Sequence, residues 1–380
     1  MIIGIDVSSV QYGTGVSDYT LQLVTHLLKI DPRNQYKLFF ASLRQPLPTS
    51  IQKLSQHKNL TIYKYKIPAT LLEILWNRLR LLPIEFFIGK CDVFHTSDWT
   101  QPPAQKAKLV TTIHDLSPFL FPQWSHPKIV KNHQRKMKLA SQNCRQFICV
   151  SKNSQRDLLR LFPKIDKNKT SLVYEAVNQK YFDFQKLSNS QQQNRISKLK
   201  QKYELKQFIL AQGTRQPRKN LDRLIQAFIQ FRQENPNSEV DLAIGGKFGW
   251  GTDINQHQPS FIKILGYVPE TDMVDIHASA LALIYPSLYE GFGLPVLKAM
   301  AVGTPVITSR NSSLIEVSGQ ATILINPKSI NDIKQAISKI VSNNKLRQSL
   351  IKKGLINASK YSWLSTATQT LAIYQKLANN

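Results

Sequence analysis

Cysteine is nearly missing from this sequence: Cys91, Cys144 and Cys149 are the three in 380 residues, and none stands in a C-x-x-C pair. An odd number without that spacing argues against a disulfide framework and a zinc site, and it suits a reducing compartment. No run approaches the ~20 apolar residues needed to span a bilayer. The opening run MIIGIDVSS meets Asp6 too early for a signal peptide and reads as a first strand, so the expected location is the cytoplasm. There is no G-x-x-x-x-G-K-[ST] loop, no G-x-G-x-x-G after the first strand, no D-x-D triplet, and no Cys/His cluster at metal-ligand spacing. These absences exclude a P-loop nucleotide site, weigh against a dinucleotide fingerprint, and leave no metal to expect.

Acidic residues are also scarce, 24 against 50 Lys and Arg, giving a net charge of +26. Such a balance points to an anionic partner or to a solvated lysine-rich surface, and composition does not choose between them. One segment sharpens the first alternative. Between Asp115 and Asp157 no acidic residue occurs, and Lys128, Lys131, Arg135, Lys136 and Lys138 fall on an expected helix. The apolar residues 119–121 and Trp124 precede it. Basic residues beside aromatics suit an anionic membrane surface. No RNA-binding or helix-turn-helix signature accompanies the charge, so nucleic acid is not an expected partner.

What the sequence does have is alternation. Short β-branched runs (MIIGID, YKLFFAS, NLTIYKY, CDVFHTS, KLVTTIHD, RQFICVS, then FILAQGT, VDLAIGG, IKILGYV, LALIYPS, TPVITS) are separated by amphipathic stretches. In NLDRLIQAFIQFRQ, for example, Leu221, Leu224, Ile225, Phe228 and Phe231 share one helical face. Strands alternating with helices imply βαβ units and parallel sheets. The polar, Gln-rich stretch 183–205 separates two sets of strands. It reads as a surface helix or linker, with a domain boundary near Asn178. The expectation is an α/β chain of two doubly wound domains facing across a cleft.

In such sheets ligands sit at the carboxyl ends of strands, and four places there carry candidate chemistry. GTRQPRKN, residues 213–220, joins a strand to a helix through three cations, with Arg218 and Lys219 best placed for an anion and Arg215 third. On spacing alone, a merely charged helix-start loop is the commoner reading. Gly13 and Gly15 flank Thr14 in a turn that would let amides approach a phosphate. His114 ends the strand KLVTTIHD, where a structural histidine is the alternative. In YEGFGLPVLK, Gly291 and Gly293 allow close backbone approach, Pro295 suits a helix's first turn, and Glu290 could accept bonds from sugar hydroxyls. Lys298 is the puzzle of that stretch, because a cation in a first turn opposes the helix dipole.

These segments, in this order, resemble the retaining GT-B-fold glycosyltransferases classed as family 4, over nearly the whole chain. The carriers are the glycine turn at 13–15, VTTIHD, ICVSKNSQRDL, GTRQPRKNLDRLIQAF, and the long run LGYVPETDMVDIHASALALIYPSLYEGFGLPVLKAMAVGTPVITS. SSLIEVSGQATILINP and the terminal YSWLSTATQTLAIYQKL are similar too. The resemblance implies two Rossmann-like domains: 1–178 for the acceptor, 179–360 for a nucleotide-diphosphate sugar, and a helix in 361–380 crossing back to the first. It implies catalysis without a metal, with Arg218 and Lys219 neutralising the leaving diphosphate, His114 near the anomeric carbon, and Glu290 on the sugar hydroxyls. Gly13, Gly15, Gly213 and Arg215, with the turn Gly291, Phe292, Gly293 and Leu294, would complete the donor site. The donor would be a GDP- or UDP-sugar. The style of GTRQPRKN and AIGGKFGWG points toward transfer of mannose or a similar hexose to glycan or lipid-linked acceptors in cell-surface polysaccharide synthesis.

The sequence departs from the family at one place. The signature is glutamate, seven residues, glutamate, and the second position here is Lys298. A carboxylate offers acceptors to the ribose diol, whereas an ammonium only donates. Lys298 therefore marks an altered nucleotide pose, weakened donor binding, or a degenerate protein acting as a binding or partner subunit.

Overall fold

The computed structural model describes residues 1–97, 99–247, 249 and 258–379. The chain forms two compact units, Met1–Glu175 with Ser362–Asn380, and Ala176–Tyr361. The first break thus falls three residues before the expected boundary at 178. Glu175 belongs with the first unit because its carboxylate meets His114. Asn178 already caps the helix Gln179–Phe184 of the second, accepting from the Lys180 amide.

The first unit is built on a seven-stranded parallel sheet: β1 (Ile2–Asp6), β2 (Gln35–Ala41), β3 (Leu60–Tyr65), β4 (Val93–Thr96), β5 (Lys108–Ile113), β6 (Cys144–Cys149) and β7 (Thr170–Leu172), in the order β3-β2-β1-β4-β5-β6-β7. β5 shows why. KLVTTI is β-branched and buried at all but its first residue, as a strand covered on both faces must be. The helix Gly15–Ile30 starts at a capping box between Thr14 and Ser17 and buries Leu23, Val24, Leu27 and Leu28. The terminal helix Trp363–Asn379 packs on it and buries Tyr374.

The second unit holds β8 (Gln207–Gln212), β9 (Val240–Gly245), β10 (Ile262–Gly266), β11 (Ala282–Tyr285), β12 (Val306–Ser309) and β13 (Thr322–Ile325), all parallel, in the order β10-β9-β8-β11-β12-β13. The helix Leu221–Glu234 turns Leu224, Ile225, Phe228 and Phe231 into the core. There they meet Ile333, Ile337 and Ile340 of the helix Ile330–Ser342. Truncating Phe228, which is 0% exposed, removes contacts worth about 3–5 kcal/mol. The Gln-rich stretch carries the helix Asn189–Lys202, which buries Leu199 alone and is capped by Ser188 with Gln191.

Both sheets are Rossmann-like, and in each the strand order reverses beside the first strand: between β1 and β4, and between β8 and β11. Ligands of open α/β sheets bind at that reversal, outside the strands' carboxyl ends. β7 and β13 are additions to the eleven strands expected from the sequence. Lys136 is a correction. It is 1% exposed, its Nζ donates to Thr111 Oγ1 at 2.6 Å, and it is no part of the basic surface.

Candidate active site

The loops after β8 and β11 meet at the second unit's strand reversal. Pro217–Lys219 forms a single 3-10 turn, and Asn220 follows it in the left-handed region at φ 61°. The Asn220 amide donates to the carbonyls of Pro286, 3.1 Å, and Pro327, 2.6 Å. The Leu288 amide donates to the Arg218 carbonyl at 2.8 Å. These bonds hold the two loops in register.

That register brings three expected residues together. Glu290, 6% exposed, accepts from Arg218 Nη1 at 2.7 Å and from Lys219 Nζ at 2.6 Å. Lys219 also donates to the Tyr285 hydroxyl. Burial alone would raise the Glu290 pKa, but the nearby charges of Arg218 and Lys219 outweigh it and hold the carboxyl at about 2. Two cations thus face one carboxylate, and the surplus positive charge favours an anionic ligand. Gly213 and Arg215 lie on the same loop, where the Arg215 amide donates to the Lys247 carbonyl at 3.0 Å. Gly246 permits that approach, because a Cβ on it would stand 1.9 Å from the Gly213 carbonyl oxygen. The rest of AIGGKFGWG, Phe248, Trp250 and Gly251, lies outside the described residues.

Gly291, Phe292 and Gly293 lead into the helix Leu294–Ala301. Gly293 is its N-cap at φ 114°, and a Cβ there would stand 2.7 Å from Leu314 Cδ2. No side chain caps this end, so the first-turn amides and the dipole's positive pole mark it as an anion-binding position. Ser313 Oγ donates to the carbonyls of Glu290, 2.8 Å, and Phe292, 2.6 Å, fixing the turn.

Lys298 sits differently from the expectation. The helix ends at Ala301, so Lys298 lies in its last turn, where a cation favours the dipole. Its ammonium stands 5.3 Å from the centre of the Tyr181 ring. Beside them His277 is fully buried, its ring 6.0 Å from that of Tyr181. Burial, and then the charge of Lys298, push the His277 pKa down to about 3.

His114, Gly13 and Gly15 belong to the first unit. His114 Nδ1 lies 3.0 Å from Glu175 Oε1, and the ring stands edge-on to Tyr19 with centroids 4.6 Å apart. Behind it, Tyr19 meets Thr112 at 3.3 Å, Thr112 meets His95 at 2.9 Å, and His95 meets the Tyr374 hydroxyl at 2.6 Å. His114 is thereby braced from the sheet and from the terminal helix. Gly13, at φ 60°, and Gly15 have open space where a Cβ would project, which leaves room for a ligand at this turn. Sequence reasoning missed Glu175, Tyr285, Ser313 and Tyr181. Of these, only Tyr285 carried a local signal, as the last residue of a strand ending at the site. Among the described residues no group of three His, Cys, Asp or Glu side chains is gathered as a metal site would need.

Comparisons with known proteins bear on this geometry. The model described as glycosyl transferases group 1 matches residues 192–355, and that of Glycosyltransferase Family 4 matches residues 13–181. The O-antigen chain mannosyltransferase B of Escherichia coli is 30% identical over 382 residues, 96% of each chain. The O-antigen chain mannosyltransferase RfbU of Salmonella typhimurium is 26% identical over 86% of this chain and 87% of that protein. Among solved structures, Anabaena HepE in complex with UDP and glucose superposes with a TM-score of 0.71 at 17% identity, covering 99% of this chain and 100% of that one. A sucrose-phosphate synthase from Thermosynechococcus elongatus gives 0.73 at 18% identity, covering 99% of both. At such identities these two establish the fold.

Proposed function

Because the chain belongs to the group 1 glycosyltransferases of GT-B fold, we propose that it transfers a hexose, mannose first among candidates, from a nucleotide-diphosphate sugar to a glycan or lipid-linked acceptor. It is a transferase of polysaccharide synthesis, as its O-antigen relatives are named. The observation that carries the finer reading is the Glu290 carboxylate clamped by Arg218 and Lys219 at the strand reversal. In this reading the two cations and the Gly291–Leu294 amides take the diphosphate and stabilise the charge that develops on it as the sugar leaves. Gly213 and Arg215 shape the same loop, and Gly13 and Gly15, whose turn has room for a ligand, are assigned to phosphate contact as well. Glu290 orients the sugar through its carboxylate, and His114, held by Glu175, contacts the sugar near the anomeric carbon.

The bond from that carbon to the phosphate oxygen breaks as the bond to the acceptor oxygen forms on the same face. The acceptor's proton passes to the departing phosphate. The configuration is retained, and no pair of flanking carboxylates is required. Cationic side chains do the work that a divalent ion would otherwise do, so we propose that no metal is needed. We place the reaction at an anionic membrane face, where a lipid-linked acceptor would reside.

A second reading, a degenerate partner subunit, is favoured by Lys298 standing where the family has an acceptor for the ribose. Calorimetric titration with GDP, UDP and ADP, with and without added magnesium, separates the two. Binding of one nucleotide in the absence of metal supports the transferase and identifies its base. No binding by folded protein supports the partner subunit.

A further inference from the structure

Among the described residues, thirteen large hydrophobic side chains are exposed, and six of them fall within 71–86: Leu71, Ile74, Leu79, Leu81, Leu82 and Phe86. Phe86 is 68% exposed, Leu79 55% and Leu81 52%. Exposed apolar side chains gathered in one short stretch of chain, and not scattered singly, point to an interaction site. The segment is not slack. Leu72, Trp76, Ile84, Phe87 and Ile88 anchor it in the core. Trp76 Nε1 donates to the Leu82 carbonyl at 2.9 Å, and Arg80 Nη1 to the Gln101 carbonyl at 2.7 Å. Arg80, at φ 57°, and Leu82, at φ 55°, adopt the left-handed conformation that side-chain-bearing residues avoid. Strain of this kind, held in place by surrounding bonds, marks functional surfaces. Here it keeps a row of leucines out in solvent.

The basic helix Pro127–Asn143 lies beside this segment. Arg135 Nη1 bonds Glu73 Oε1 at 3.1 Å, and the amides of Asn77 and Asn132 meet at 3.4 Å. Lys128, Lys131, Arg135 and Lys138 are spaced three, four and three residues apart and so form one stripe, while Lys136 points inward. Phe121 and Trp124 stack at 4.1 Å just before the helix.

We propose that residues 71–86 and this stripe together form a face that docks on a lipid bilayer carrying anionic headgroups. The leucines and Phe86 enter the interface, and the lysines lie against the headgroups. A second copy of the chain is the poorer occupant, because self-pairing would oppose Lys128, Lys131 and Lys138 of one copy to those of the other. The inference rests on the membrane-side part of the proposed function and is independent of the donor site in the other unit.

The test uses the full chain in flotation with vesicles of phosphatidylcholine, alone or mixed with phosphatidylglycerol. The expected result is binding to the anionic vesicles alone, weakening as salt rises. Leu79→Ser with Leu81→Ser and Phe86→Ser lowers partition about tenfold or more. Lys128→Gln with Lys131→Gln and Lys138→Gln lowers it about fivefold per lysine. All six side chains are solvent-exposed, so both variants fold, and GDP and UDP titrations of each match the wild type whatever the donor proves to be. The proposal is overturned if wild type does not float, or if either variant floats as wild type does. It is equally overturned if the chain is a dimer that the apolar variant converts to monomer.

Discussion

Glu290→Gln separates the two jobs assigned to the clamp. The amide keeps the shape and one acceptor and removes the charge. Held at about 2 against an ordinary 4.5, the buried carboxylate stabilises the folded second unit by about 3 kcal/mol, at 1.36 kcal/mol per pH unit. Its loss leaves Lys219 and Arg218 facing a neutral group at 2.6 and 2.7 Å, and breaking buried pairs costs of this order. For a unit of this size the unfolding transition falls by roughly 6–12 °C. The sign with pH follows from the depressed pKa. The carboxylate's contribution is complete above about 4.5 and fades as pH falls toward 2, so wild type and variant converge across that window. Nucleotide affinity moves the other way. With the carboxylate gone the cations are uncompensated, and the nucleoside diphosphate binds as tightly or up to about tenfold more tightly. Sugar transfer falls by about a hundredfold, because the oxygens that orient the hydroxyls have changed. Calorimetry, scanning of thermal unfolding and initial rates read the three effects separately. If nucleotide affinity falls in step with stability, the clamp is a strut and the assignment of Arg218 and Lys219 to the diphosphate is wrong.

His277 has no hydrogen-bond partner for either ring nitrogen among the described residues, and its pKa lies near 3. It folds neutral and takes a proton near 6.5 when unfolded, so stability drops by about 1.4 kcal/mol per pH unit as pH falls from 6.5 toward 3. His277→Phe keeps a ring beside Tyr181, and urea titrations at two pH values then show a shallower acid slope; an unchanged slope refutes the account. Lys298→Glu loses the contact over Tyr181 and puts an anion in the helix's last turn, costing about 1–2 kcal/mol of stability. If a ribose acceptor is all that is missing, the same variant binds nucleotide about tenfold more tightly. A large loss of activity would instead give Lys298 a positive role. Glu175→Gln frees the His114 ring, 15% exposed against 12% for its partner. It lowers kcat about tenfold with little change in donor KM and costs about 1 kcal/mol of stability, the worth of one hydrogen bond. A matching fall in donor affinity would place His114 in binding and not in the transfer step.

The parts of this fold that were legible in sequence are those with long periodic signals. KLVTTI and NLDRLIQAFIQF each repeat their pattern long enough to settle an element. β7 and β13 have three and four residues, too few for any pattern to show. The inward face of the basic helix was readable in principle, since Val130, Met137 and Ala140 share it with Lys136. A buried lysine is rare enough that the charge pattern dominated, and its tie to Thr111 is invisible without the sheet. Glu175 stands 61 residues from His114, and no local pattern links them. Arg218, Lys219 and Glu290 were found as separate motifs. Their mutual contact depends on parallel strands side by side, which the alternation of strands and helices implied and no spacing stated.

Lys298 shows how a boundary error distorts a functional argument. Placed in a first turn, the lysine is an anomaly that calls for a special role. The helix is eight residues long, Gly303 with φ 76° follows its end, and Lys298 falls at the negative pole. Four residues, about 6 Å of helix, separate it from Leu294 at the positive pole. A lysine at one end and an anion at the other are both favoured by the same dipole. The lysine's place on the helix is therefore no argument against a donor site, and if the family's ribose acceptor is all that is missing, the loss is a matter of about tenfold in affinity. The proposed diphosphate cradle stands on Arg218, Lys219 and the turn before the helix, none of which Lys298 opposes.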